Sequence, residues 1–541
     1  MPNPSQDPEK ARYPIIYVRG YAMTDGEKDE TAADPFCGFN AGSTVYRAVS
    51  DRTKPAQRFV FESPVVRLMK DFGYSNVYEN GLDILDDGYE GQIPPTSIII
   101  YRYYDDTAPL LGGKQAPSLE RFAKGLSDLI LRLRDQVCAN ALNCMPPENF
   151  RCYLVAHSMG GLVCRAFLQN PDLGDGKARA TVDKFFTYAT PHNGIDMAGM
   201  NVPSWLSAWD MNTFNRYKLM GLFGYDEALR KRGRSDYLRN GQDFDARRCF
   251  CMVGSNRSDY HTAMGLSRTF AGHGSDGLVR IENACLCDID RTGMETPVAT
   301  AYTYRSHSGF FGIVNSEEAY QNLTRFLFGD VRVDIFARVD RVTLPPAIQG
   351  KDVDALYQFE VLASPRGKPW FLTRRVAEED SVACRSHAEL TGAPGDARRT
   401  VYLSSVFLAN RSRVDKNRAS LSYSITFGAR VPDYKVDRIL WLDQHYEGSY
   451  LYRDTLIVEL LPPATPDDSW KVRYRWQSQA AAPIEDDYKP MPLVDGKAVL
   501  EVGFASASNP GIAGTLVFNV SAWNDWGAPA PGRVVAMGHD G

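Results

Sequence analysis

The stretch RCYLVAHSMGGLVCRAFLQN, residues 151–170, changes character in its middle. Its first part, RCYLVA, is a short apolar run of the kind buried on both faces of a parallel sheet. Its second part, from SMGG onward, opens a helix. Ser158 therefore stands at the turn between a strand and a helix, with small residues at Ala156 and Gly160. A serine on so tight a turn is held in a strained conformation that lifts its hydroxyl above the sheet, and small neighbours are needed because the backbone segments come so close.

Outward from this turn, apolar runs alternate with helical patterns up to about residue 330. YPIIYVRGY (13–21), TSIIIYRYY (96–104), KFFTYATP (184–191), RCFCMVGS (248–255) and PVATAYTY (297–304) read as buried strands bounded by turn signals. Between them, SLERFAKGLSDLILRLRDQV (118–137) places Leu119, Phe122, Leu126, Leu129, Ile130 and Leu133 at helical spacing. Strands joined by helical crossovers predict an α/β domain over residues 1–330, its sheet mostly parallel and covered by helices. A helix is expected over SEEAYQNLTRFLFG (316–329). From Val331 the helical period gives way to short strand-like runs, among them VRVDIFARV, ALYQFEVLA, LSYSITFGA and GTLVFNVSAW, separated by Gly, Pro, Asp and Asn. That pattern predicts an all-β, sandwich-like domain over 331–541.

At 541 residues the chain exceeds what one core accommodates, in keeping with this division. A formal net charge of -5 and the lack of a Lys/Arg run argue against a nucleic-acid partner. No apolar run approaches the roughly 18 residues of a spanning helix, so no transmembrane segment is expected. The opening MPNPSQDPEKARYP lacks the apolar centre of a signal peptide. The chain as given reads as soluble and cytoplasmic, with a secreted mature form still open. Ten cysteines are too dilute for a disulfide framework, and most read as core thiols. The pairs Cys249/Cys251 and Cys285/Cys287 leave zinc or a disulfide open, although the usual zinc spacing is wider.

AHSMGG is similar to the nucleophile elbow of bacterial lipases in which alanine replaces the first glycine of G-x-S-x-G. The chain thus resembles the α/β-hydrolase superfamily over residues 13–329. A hydroxyl at its free pKa needs a histidine base and a carboxylate that orients it, and the superfamily's chain order is serine, acid, histidine. The resemblance implies Asp276 as the acid, in the SDGLV stretch of GHGSDGLVRIENA (272–284), with Glu282 as its nearest rival. It implies His307 as the base, after ATAYTY and before the last helix. His157 sits inside the elbow and is expected to point away from its neighbour's chemistry. His192, in ATPHNG, resembles a string that shapes lipase sites without acting as base.

The resemblance also implies an oxyanion hole made by the backbone N–H of Met159, at a helix N-terminus, and of Tyr21, in the loop after the first strand. There Arg19 stands where lipases of this kind carry a histidine. It reads first as solvated or internally paired, with recognition of a charged substrate group as the other reading. Residues from about 195 to 247 form an insertion rich in Met, Trp, Phe and Leu, which resembles a lid over an acyl pocket, with Trp205, Trp209, Met211 and Phe214 as lining candidates. The same residues could instead bury the lid against the core.

The resulting expectation is a serine carboxylic-ester hydrolase, lipase- or esterase-like, acting on a small-molecule or lipid ester with a hydrophobic acyl chain and requiring no metal or organic cofactor. Acyl transfer or amide hydrolysis by the same groups, or a binding module that keeps the fold without the chemistry, are the alternatives. A peripheral lipid contact through the lid or the β domain is left open.

Overall fold

The computed structural model describes residues 12–20, 45–47, 57–59, 63–76, 93–101, 103, 118–139, 143, 145–195, 215–257, 274–307, 312–436, 444–465, 468–479 and 487–524. Seven strands form the main sheet: β1 (Ile15–Val18), β2 (Ser75–Asn76), β3 (Ser97–Tyr101), β4 (Cys152–His157), β5 (Val182–Tyr188), β6 (Cys249–Gly254) and β7 (Ala299–Thr303). Their spatial order is β7-β6-β5-β4-β1-β3-β2, and every neighbouring pair is parallel.

Alternation along the strands explains why both faces are apolar. In β4, Cys152, Leu154 and Ala156 enter one core, while Tyr153 and Val155 enter another on the opposite face. The first face is covered by α2 (Leu119–Ala139) and α3 (Met159–Gln169). The second is covered by α1 (Pro64–Phe72) and α4 (Glu317–Phe328). All six apolar residues that the spacing assigned to α2 are buried. Each such side chain contributes about 1.5–3 kcal/mol through burial.

The sequence reading omitted α1, although its signals are present. Ser63 caps it by accepting from the Val66 N–H, Pro64 opens it, and Gly73 ends it in the left-handed conformation. A smaller sheet, formed by Tyr237–Arg239, Cys287–Ile289 and Glu295–Pro297, was also not anticipated.

Beyond α4 the strands are antiparallel, as expected. One sheet is built on β8 (Val331–Thr343), β10 (Thr400–Leu408), β14 (Lys497–Ala505) and β15 (Gly511–Ala522). The other is built on β9 (Val353–Pro365), β11 (Leu421–Arg430), β12 (Tyr450–Leu461) and β13 (Lys471–Trp476). Inward residues of both, such as Ile335, Phe359, Phe427 and Phe518, share one core, which makes this part a β-sandwich.

The sandwich lies against the parallel sheet at β7. The Thr300 N–H donates to Tyr402 Oη (2.9 Å) and the Ser404 hydroxyl to the Thr300 carbonyl (2.8 Å). Farther along, Phe250, Phe326, Phe407 and Trp523 interlock, with Phe407 and Trp523 ring centroids 4.8 Å apart. No described helix is long and apolar enough to cross a membrane.

Candidate active site

The turn between β4 and α3 has the strain its sequence implies. Ser158 has φ 52° and ψ -127°, a region that L-residues rarely adopt and that costs about 1–3 kcal/mol. The approach of neighbouring backbone is as close as the small residues suggest. A Cβ on Gly160 would lie 2.2 Å from the Val18 carbonyl oxygen, so only glycine fits there. The Ser158 N–H donates to the Tyr188 carbonyl, which ties the turn to β5.

Ser158 at the end of β4, His307 four residues after β7 and Asp276 in the segment 274–284 come together. His307 Nε2 is 2.8 Å from Ser158 Oγ, and His307 Nδ1 is 2.9 Å from Asp276 Oδ2. A carboxylate only accepts, so Nδ1 carries the ring hydrogen and Nε2 is left to accept from the serine hydroxyl. The other carboxylate oxygen, Oδ1, accepts from the backbone N–H groups of Leu278 (3.0 Å) and Val279 (2.8 Å). The His307 N–H donates to the Asp276 carbonyl (2.9 Å), so acid and base are also joined through their main chains. Asp276 and His307 are buried, whereas Ser158 keeps partial exposure. Such an arrangement sets a hydroxyl against an imidazole of defined tautomer whose other ring hydrogen has a fixed acceptor, which is the geometry that general-base activation of a serine requires.

His157 departs from its expected orientation. Its ring turns toward the base and Nε2 donates to the His307 carbonyl (2.9 Å), with the two rings 5.0 Å apart. Burial pushes its pKa down to about 3, with the adjacent His307 adding to the effect. The ring thus stays neutral and works as a brace under His307. His157 is the last residue of β4, and its hydrogen-bond partner is a main-chain carbonyl 150 residues away, so its neighbours in sequence give no sign of the contact.

Arg19 is 5 % exposed, which removes the solvated half of its first reading and is compatible with the internally paired half. Glu282, the rival acid, is 71 % exposed at its side chain and lies beside Arg280 rather than His307. His192 is fully buried with Nε2 3.2 Å from Thr187 Oγ1, and desolvation drives its pKa well below the ordinary range, away from any role as a base near neutrality. Met159 is the first residue of α3, with its N–H at the positive end of the helix dipole. Tyr21, Trp205, Trp209, Met211 and Phe214 lie outside the described residues.

The described part of the insertion is packed onto the core. Leu219, Met220, Leu222 and Phe223 are buried in the same cluster as α2 and α3. The residue that joins them to the elbow helix is Arg165, which sequence reasoning missed. Its guanidinium is fully buried, stacks on Phe223 at 3.9 Å, and donates to Gln169 Oε1, the His192 carbonyl, Tyr225 Oη and the Tyr237 carbonyl. An arginine inside the otherwise apolar GLVCRAFL was the available signal. Cys249, Cys251 and Cys287 are core residues, and no cluster of three or more metal-binding side chains occurs among the described residues. Burial pushes the Cys251 and Cys287 thiols up to about 12 and Cys285 to about 11, so they remain protonated.

No protein-family model and no curated protein matches the chain. Similar solved structures include the Bacillus licheniformis lipase BlEst2 in mature form, 14 % identical, covering 57 % of this chain and 89 % of that one at a TM-score of 0.26. The phospholipase PlaB from Legionella pneumophila is 13 % identical and covers 80 % of this chain and 90 % of that one at 0.32. Thermogutta terrifontis esterase 2 is 10 % identical and covers 60 % and 81 % at 0.23. These scores are too low to assign any residue a role, and the α/β-hydrolase fold class of this chain is given by its own strand order and strand-to-helix elbow.

Proposed function

We propose that the chain is a serine carboxylic-ester hydrolase of the lipase or esterase kind, acting through an acyl-enzyme. Ser158 Oγ attacks the ester carbonyl carbon while His307 Nε2 takes the hydroxyl proton. Asp276 holds the imidazole and stabilises the imidazolium that forms. The negative charge on the carbonyl oxygen falls at the start of α3, where the Met159 N–H is one donor and the Tyr21 N–H the second, each worth about 3–4 kcal/mol in comparable sites. As the intermediate collapses, the imidazolium returns its proton to the departing alkoxide oxygen and the alcohol leaves. Water then gives a proton to His307 and its oxygen to the acyl carbon, and the carboxylic acid departs with Ser158 restored.

Apart from the ester and water, every group in this scheme belongs to the chain itself, so the reading calls for no cofactor. In the same reading, residues 1–330 form the catalytic domain and 331–541 a β-sandwich-like domain. Trp205, Trp209, Met211 and Phe214 line a lid over about 195–247, and their Met/aromatic character suits a hydrophobic acyl chain.

The observation that carries the reading is the continuous contact from Ser158 Oγ through both ring nitrogens of His307 to Asp276 Oδ2. The test is hydrolysis of p-nitrophenyl esters from acetate to palmitate by the wild type and by Ser158→Ala. Turnover by the first alone supports the reading, and the favoured chain length measures the acyl site. Equal inertness of two folded proteins would sink it.

A further inference from the structure

Residues 373–381 of the sandwich form a closed turn at the end of the parallel sheet. The Val376 N–H donates to Ser381 Oγ (2.8 Å), the Ser381 N–H to the Val376 carbonyl (3.2 Å), and Arg375 Nε to the Ser381 carbonyl (2.6 Å). The Ala377 N–H donates to Glu360 Oε1 (3.0 Å), and Glu360 is itself held by the Tyr450 hydroxyl. The turn is therefore anchored to the sandwich through Ala377 and Glu360 and through the pairing of Thr373–Arg375 with residues 361–363 of β9.

That outer face meets β6 and β7 where they lead into the site. The Tyr302 N–H donates to Thr373 Oγ1 (3.2 Å), and the Arg375 guanidinium lies 4.3 Å over the Tyr302 ring. Glu379 is buried, with Oε1 accepting from Arg374 Nε (2.5 Å) and Oε2 from the Ser255 hydroxyl (3.4 Å). Desolvation raises its carboxyl pKa above the ordinary value, and the contacts with Arg374 and Ser255 counter part of that rise.

Ser255 follows directly on β6; its N–H donates to the Thr303 carbonyl (3.0 Å), and the single hydrogen of its hydroxyl is shared between that carbonyl (3.2 Å) and Glu379 Oε2 (3.4 Å). The next N–H, of Asn256, donates to the Arg305 carbonyl (3.1 Å), two residues before the base. On the other side of Ser255, a Cβ on Gly254 would stand 2.9 Å from Asp276 Cβ and 2.6 Å from the Arg305 carbonyl oxygen. The loops that carry acid and base are thus closed on each other at Ser255, and Glu379 rests on that closure.

We infer that Glu379 is a positioning residue: acting through Ser255, it fixes the loops of Asp276 and His307 in register, which makes the sandwich part of the catalytic unit. The inference rests on the ester-hydrolase reading for its kinetic consequence, and on packing alone for its structural one. A buried carboxylate from a remote part of the chain can control rate in this way because small misplacements of a base cost large factors.

The experiment compares full-length Glu379→Ala, Glu379→Gln, Ser255→Ala and the Glu379→Ala/Ser255→Ala double variant on p-nitrophenyl butyrate, alongside hydrogen exchange followed by mass spectrometry. Glu379→Ala is expected to lower kcat about 10-fold with KM within about twofold, and the double variant to be no worse than Glu379→Ala alone. Glu379→Gln, which keeps a hydrogen-bonding group, recovers most of the loss. Peptides spanning 252–257 and 274–282 should exchange faster in Glu379→Ala, while those spanning 421–430 do not change. A kcat within twofold of wild type, or additive losses in the double variant, overturns the inference. Should the wild type hydrolyse no ester, the functional reading fails by itself, and unchanged exchange at 252–257 and 274–282 then overturns the positioning role separately.

Discussion

The rim of the parallel sheet and strand β14 of the β-sandwich treat polar groups in opposite ways. Along β14, Ala498, Leu500, Val502 and Phe504 are buried while Lys497, Glu501, Gly503 and Ala505 are exposed, so each residue satisfies the pleat on its own. At the rim, Asp276, His307 and His157 are buried and Ser158 is strained, and each is stabilised by a particular partner. A region of the first kind tolerates change in proportion to the area involved. One of the second kind fails when a single partner is lost, and it fails in function before it fails in folding.

Asp276→Asn tests this contrast most strongly. The wrong tautomer of His307 would be favoured, and kcat on p-nitrophenyl butyrate should fall about 10⁴-fold while the melting temperature moves little. A loss of activity that merely tracked a loss of stability would erase the distinction. In the sandwich, Phe427→Ala should act the other way. Phe427 is fully buried and its ring packs 4.8 Å from Phe504, so truncation should cost about 3–5 kcal/mol in urea unfolding, with specific activity of the folded protein preserved within about twofold.

A smaller effect separates the regions by pH. His157 stays neutral in the folded chain down to about 3, whereas in the unfolded chain it takes up a proton below about 6.5. Protonation thus favours unfolding between those values, and this contribution to stability is complete above about 6.5 and lost as pH falls toward 3. His157→Gln, which cannot titrate but can still donate to the His307 carbonyl, should show a shallower fall in melting temperature from pH 7 to 4 than wild type. Equal slopes would remove His157 from the account. Least of all, Glu501→Gln breaks the exposed 2.9 Å pair with Arg338 and should change unfolding free energy by no more than about 0.5 kcal/mol.

The parts of the molecule legible in the sequence are those in which a local pattern and a chain order coincide. The elbow was legible because strand, Ser158, Gly160 and helix are adjacent, and Asp276 and His307 because each follows a recognisable strand. The sandwich was legible from its strand period, although not its docking on β7. Glu379 gave no sign, since its contact with Ser255 joins residues 124 apart and depends on the seating of one sheet against another. The brace by His157 was misread for a related reason, because its partner is a main-chain carbonyl that no sequence position advertises. Arg165 and α1 differ from these, as both carried usable signals in a lone charge among apolar residues and a Ser-Pro start with a Gly stop.

The aromatic lock around Trp523 bears on how the chain is made. Trp523 Nε1 donates to the carbonyl of Phe326, 197 residues earlier, and its ring lies against Phe326 and Phe407. At ordinary rates of ribosomal synthesis that interval lasts about 10–40 s. Throughout it, Phe326 has emerged without the Trp523 ring that finally packs on it, and for the first part of it Phe250 and Phe326 also lack Phe407. The nascent α/β part must therefore wait, with part of this aromatic face open to chaperones or to other nascent chains, for the segment that follows β15 to arrive.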